Sequence, residues 1–213
     1  MKHSIIFLIG VFGSLASFAQ SEKTMQVYVM AGVKAFSPKE FNSPESVAPS
    51  MVPGIGGGAL WNVNRFQFGT EFMYLDGKKD TEAFGSVLTG INANILAGYS
   101  WDLGGRMTLT AQTGFGYSLH HLAVTDNTYA GSAQLNSTIY HNMVISVPVA
   151  LMIQRTSANG VFTGLRVGYQ VPIGHNHWRY IEGDKTENYM SASDGLYIQV
   201  TFGGLLTLNK RSE

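Results

Sequence analysis

The chain has 213 residues, 14 basic and 14 acidic side chains, no cysteine, and 13% charged residues where about a quarter is usual. A charge-poor, neutral chain lacks the basic surface that a nucleic-acid partner needs. Without cysteine there is neither a disulfide framework nor a thiol to carry a lipid anchor.

The N-terminus opens with Lys2 and His3, continues through the apolar run Ile5 to Leu15, and closes on Ser17-Phe18-Ala19. Charged, apolar and small-residue regions in that order predict a secretory signal peptide over 1–19, cut before Gln20. Removing it takes away Lys2 and no acid, which leaves 13 basic against 14 acidic residues in a single domain over 20–213. No other stretch reaches the roughly 20 apolar residues of a membrane-spanning helix, so any residence in a membrane must come from strands.

Eight segments then carry the period of a strand: 25–36, 51–61, 66–74, 87–100, 107–118, 139–154, 161–173 and 195–208. The fourth and fifth are the clearest. Ile91, Ala93, Ile95, Ala97 and Tyr99 share one face, with Asn92, Asn94, Leu96, Gly98 and Ser100 on the other. Met107, Leu109, Ala111, Thr113, Phe115 and Tyr117 repeat the pattern against Thr108, Thr110, Gln112, Gly114, Gly116 and Ser118. Arms of about ten residues tilted near 45° cross a bilayer's hydrocarbon core. Connections alternate in length. Long polar stretches (37–50, 75–86, 119–138, 174–194) follow the odd segments and short turns (62–65, 101–106, 155–160) the even ones, the asymmetry of a barrel with short periplasmic turns and longer outer loops.

Within these segments the charged residues are Lys34, Glu71 and Arg166, and each lies on the polar parity. A lipid-facing surface requires this exclusion, because Arg or Lys at mid-bilayer costs about 2–4 kcal/mol. Aromatics gather near the short turns (Trp61, Phe66, Tyr99, Trp101) and near the long-loop ends (Phe36, Tyr74, Tyr117, Tyr140, Tyr169), as two interfacial girdles would. Pro148, in the sixth segment, removes a ladder hydrogen bond and points either to a bulge or to a strand misread locally. Glycines 54, 56, 57 and 58 read as positions of interior crowding, since no helix follows them to make a phosphate-binding loop.

With its signal peptide, strand period, loop parity and girdles, the chain resembles the small eight-stranded outer-membrane barrels of Gram-negative bacteria, the OmpX-like proteins and the membrane domain of OmpA. The resemblance implies an all-β, eight-stranded antiparallel up-and-down transmembrane β-barrel, monomeric, in the outer membrane among lipid and lipopolysaccharide. It implies a non-enzymatic role in surface interaction or envelope integrity through four outer loops. The family commonly ends on an aromatic residue. This chain departs from that, running past Leu208 to Asn209-Lys210-Arg211-Ser212-Glu213.

An eight-stranded barrel is just filled by its side chains. Glu71 and Arg166 stand on opposite strands at similar height and are expected to form a structural ion pair in the lumen, joined by Lys34. Five histidines (His120, His121, His141, His175, His177) lie at the outer ends of consecutive strands, where neutral imidazoles offer a metal or pH-sensitive cluster, though no cysteine or well-placed carboxylate completes a metal site. Trp178, Arg179 and Tyr180 mark the last long loop as a contact surface for an extracellular protein or glycan. Three rivals stand beside this reading. One is transport of small apolar molecules through a lateral opening near Val144, Pro148, Ala150 and Met152. Another is a lipid-modifying barrel enzyme, for which His141 and Ser146 would lie on opposite faces. The third is a soluble ligand-binding barrel, which would face its apolar parity inward. No cofactor is expected.

Overall fold

The computed structural model describes residues 23–36, 48–82, 84–126, 137–173, 177–182, 185–190 and 195–207, and of 177–190 the backbone alone. Among the described residues ten strands follow in order: β1 Lys23–Ala35, β2 Met51–Val63, β3 Phe66–Asp80, β4 Phe84–Gly104, β5 Met107–Asp126, β6 Ser137–Thr156, β7 Val161–Pro172, β8 His177–Glu182, β9 Lys185–Met190 and β10 Gly195–Thr207. Eight of them close a ring, β1-β2-β3-β4-β5-β6-β7-β10 and back to β1, with every pairing antiparallel. Closure leaves no unpaired edge in the ring, the condition for strands to cross hydrocarbon.

The two faces of the ring divide by chemistry. Outward residues such as Val29, Ile55, Phe72, Ile95, Phe115, Leu151 and Val200 are exposed, while Gln67, Glu71, Asn92, Asn94, Gln112, Arg166 and Gln199 are buried. A contiguous apolar belt of that extent is far beyond the patches soluble monomers expose, and it suits lipid. Trp61, Phe66 and Trp101 stand exposed at the short-turn rim, where Tyr99 packs edge-on against both Phe66 (5.2 Å) and Trp101 (5.1 Å). Tyr74, Tyr117 and Tyr169 are exposed toward the other rim. Phe36 and Tyr140, expected in that outer girdle, turn inward instead: Phe36 is buried and Tyr140 packs against the same interior cluster. They share the parity of Lys34 and Asn142, and parity outranks proximity to a strand end.

Three of the long connections are shorter than expected or contain structure. β3 runs to Asp80 and β4 starts at Phe84, while β5 and β6 take in 119–126 and 137–138 and the last loop holds the β8–β9 hairpin. β8 adds to the upper part of β6 opposite Tyr140, His141 and Asn142, above the point where β7 ends its pairing at Ser146. One wall, β3 through β6 with β8 and β9, therefore rises beyond the tyrosines, while β1, β2, β7 and β10 stop near them.

Pro148 makes no bulge. The β5–β6 ladder lacks pairs opposite Gly114 and Phe115, yet the register is the same on both sides, Thr113 with Val149 and Gly116 with Ser146, so no residue is inserted. On its other side Pro148 keeps its place opposite Gln170. The missing N–H interrupts the ladder without shifting it.

The glycines of β2 are crowded as expected, and Gly58 shows why. It lies between Tyr28 and Glu71 in one cross-strand row, and a Cβ there would come within 2.6 Å of the Tyr28 hydroxyl. An aromatic ring crossing a strand over a neighbouring glycine is a known way to satisfy a glycine in a sheet. Gly58→Ala should therefore cost about 1–3 kcal/mol, the range of overpacked cores. Gly204→Ala, where a Cβ meets nothing within 4 Å, should be neutral. Urea midpoints of the two variants folded in lipid check the contrast.

Candidate functional site

Two regions hold the sequence-derived candidates, the middle of the lumen and the raised outer wall. In the lumen, Glu71 of β3 and Arg166 of β7 form a buried salt bridge across the ring. Register sets the rest of the network. Asn94 stands directly opposite Glu71 on β4 and donates through Nδ2 to Oε1 at 2.7 Å, and Tyr28 reaches over Gly58 to donate its hydroxyl to Oε2 at 3.2 Å. Gln199, opposite Arg166 on β10, accepts from Nη1 at 3.4 Å and donates to Met73 Sδ at 3.0 Å. The Tyr197 ring lies 5.5 Å from the guanidinium, in cation–π range. The carboxylate thus has three donors and the guanidinium one carboxylate partner.

Lys34 does not join this pair. Its Nζ donates to Gln170 Oε1 and lies 4.9 Å from the Phe36 ring, and the one salt bridge among the described residues is Arg166 with Glu71. The space enclosed by Lys34, Glu71, Asn92, Gln170 and Tyr197 is about 10 Å³, room for about one water. Val144, Pro148, Ala150 and Met152 are buried on the lumen side of β6. A groove of about 540 Å³ beside them, between Phe68 and Leu151, lies on the outer surface, with Ala97, Ala111 and Thr113 leaving the dent. Tyr28, Asn94 and Gln199 were not singled out in the sequence, although Asn94 showed the polar parity. The usable signal was height: each falls in the row of Glu71 or Arg166 once register is known.

Above the polar plug the lumen turns apolar. Val52, Leu75, Leu88, Leu122, Phe36 and Ala48 are buried together there. His120 is buried at this level with its ring edge-on to Phe36 at 5.3 Å. It therefore leaves the histidine cluster, because its neighbour in sequence, His121, points the other way. His121 and His141 are direct cross-strand partners on the outside, with Nδ1 atoms 2.6 Å apart and rings at 90°. Such a contact needs one nitrogen protonated and the other not. The two rings would supply half the ligands of a tetrahedral zinc, and no group of three or more metal-binding side chains occurs among the described residues. His175 lies outside the described residues. The backbone of β8 sets Arg179 opposite His141, with Trp178 and Tyr180 at Asn142 and Tyr140; the side chains of these residues and of His177 are outside those described. His141 and Ser146 stand on opposite faces of β6, the latter buried, so they do not form a proton-transfer pair.

No protein-family model matches the chain. No curated protein sequence matches it either. Solved structures do. The attachment invasion locus protein of Yersinia pestis, Ail, superposes with a TM-score of 0.53 at 9% identity, covering 87% of this chain and 99% of its own. The same protein in complex with the heparin analogue sucrose octasulfate gives 0.50 at 9% identity over the same shares. A major outer membrane protein from Thermus thermophilus gives 0.49 at 9%, over 85% and 99%. The chain has the fold of the small eight-stranded outer-membrane barrels: a closed antiparallel up-and-down ring with an apolar exterior and a filled polar interior.

Proposed function

We propose that this protein is a non-enzymatic resident of a Gram-negative outer membrane, exported by its N-terminal signal peptide, that works at its extracellular face. The observation that carries the reading is the combination of a blocked middle with a raised wall. The void between Glu71 and Lys34 holds about 10 Å³, which supports a filled lumen, while β3 to β6, extended by β8 and β9, present a paired sheet above the aromatic girdle. Rigid strands beyond the bilayer position contact residues more closely than free loops do.

The candidate partner is an extracellular protein or a glycan. Ail, at 9% identity, was crystallised with a heparin analogue, which supports testing sulfated glycans first. The sequence of the last loop, with Trp178, Arg179, Tyr180 and Lys185, offers the aromatic and cationic groups such a ligand uses. Transport of small apolar molecules would need an interior open to the side at Val144, Pro148, Ala150 and Met152, and these are packed. The test is binding of the folded full chain, in lipid vesicles, to immobilised heparin and to matrix proteins. The full chain is expected to bind one of these and a variant lacking 175–193 to lose that binding. Binding by neither, together with ion conductance in planar bilayers, would overturn the reading in favour of a pore.

A further inference from the structure

The periplasmic rim carries a second feature, unrelated to the outer wall. Between the β4–β5 and β6–β7 turns lies a pocket of about 370 Å³ lined by Arg106, Arg155, Thr156, Ser157 and Thr163, among others. Arg106 and Arg155 are its only ionisable lining groups, both are exposed, and neither forms a salt bridge among the described residues. Two positive charges face an opening that contains no acid.

The backbone holds these arginines in place. Arg155 is paired with Met107 on β5 and Thr163 on β7, and so lies on the outward, lipid-side parity. Arg106 sits in the turn in a left-handed conformation, φ 65°, with its carbonyl accepting from Thr156 N at 2.9 Å. Ser157 Oγ accepts from Val161 N at 3.1 Å, which leaves its hydroxyl hydrogen for a ligand. Directly above, Met107, Ile153 and Val161 are exposed and apolar. The pocket is thus cationic and hydroxyl-lined below, and continuous with the lipid-facing wall above.

We infer that this pocket binds the phosphodiester of an anionic glycerophospholipid in the periplasmic leaflet, with Arg106 and Arg155 on the phosphate oxygens and the acyl chains along Ile153 and Met107. Guanidinium groups suit phosphate because their fixed fork of N–H donors matches its oxygens. A free phosphate would satisfy the arginines but leave the apolar wall unused, so the occupant is the lipid. The inference rests on the membrane residence proposed above.

The test uses the full chain in vesicles of phosphatidylcholine alone and of phosphatidylcholine with a minority of phosphatidylglycerol, followed by detergent extraction and native mass spectrometry of retained lipid. Folding in phosphatidylcholine alone, read as heat-modifiable migration, tests membrane residence independently of the lipid preference. Wild type should retain phosphatidylglycerol over phosphatidylcholine, and excess inorganic phosphate should not displace it. Exchanging both arginines, R106Q with R155Q, should lower that retention about tenfold or more, the scale of losing charge-assisted hydrogen bonds. Arg65→Gln removes a cation from a different periplasmic turn and should leave it intact. No preference in wild type, displacement by free phosphate, or an equal loss in the Arg65 variant, which would mean diffuse rim charge, each overturns the assignment.

Discussion

Glu71→Gln is expected to destabilise the folded barrel by about 3–5 kcal/mol, the cost of stranding one member of a buried ion pair, and by more than Arg166→Gln does. The asymmetry follows from the partners. Remove the guanidinium, and Glu71 keeps the Asn94 amide at 2.7 Å and the Tyr28 hydroxyl at 3.2 Å. Remove the carboxylate, and Arg166 keeps the Gln199 oxygen at 3.4 Å and the Tyr197 ring, while Nε and Nη2 have no acceptor among the described residues. A guanidinium cannot discharge itself in a protein. The double variant should recover part of the loss, since two neutral amides can bond each other. Urea unfolding in vesicles, with heat-modifiable migration as a second readout, checks the order wild type, double, Arg166→Gln, Glu71→Gln. Equal stability of all four would mean that the pair holds nothing together.

The part of this fold that the sequence showed most plainly is the part that lipid touches. Between Phe66 and Tyr74, or Ile91 and Tyr99, the outward residues must be apolar and the inward ones polar, so the period is strong and charge is confined to one parity. Past Tyr74 that requirement lapses. On β3 the outward positions become Asp76 and Lys78 while the inward Leu75 packs with Leu88 and Leu122, so the pattern inverts within one continuous strand. An alternation followed from one end breaks there. That is why 75–86 and 119–126 read as loops although they are largely paired sheet. The row Asp76, Thr89, His121, His141 marks the change, one polar residue on each of four adjacent strands.

The interior was legible by type and not by contact. Opposite strands and matching heights brought Glu71 to Arg166, because strand order in an up-and-down barrel follows chain order. Lys34 shares their parity, yet it stands higher, opposite Val52 and Tyr197, and so meets Gln170. Height depends on stagger between strands, which turn lengths alone do not fix. His120 leaves the histidine cluster for a simpler reason: it is adjacent to His121, and in a strand adjacent residues cannot share a face.

Ile95→Arg should cost the folded protein about 2–4 kcal/mol in a bilayer, the penalty for a cation at the midplane of a barrel's outer wall. Ile95 is 66% exposed and lies between Thr70 and Phe115, midway between the aromatic rims. In water an exposed Ile→Arg change is neutral or favourable, so the sign of the effect separates a lipid-facing wall from a solvated one. Val87→Arg supplies the internal comparison. It is on the same strand and face, paired with Lys78 and Ala123 above the polar row, and it should cost about 0–1 kcal/mol, as positions near the interface do. Both variants add one charge to β4, and the like charge of Lys78 opposite position 87 adds to the cost there, so a larger loss at 95 reports depth. Measured by urea unfolding from vesicles, a large loss at 95 beside a small one at 87 follows from hydrocarbon lying below the Asp76–His141 row. Equal effects at the two positions would remove the bilayer from the explanation of this apolar exterior and leave its sheet without a solvent to match.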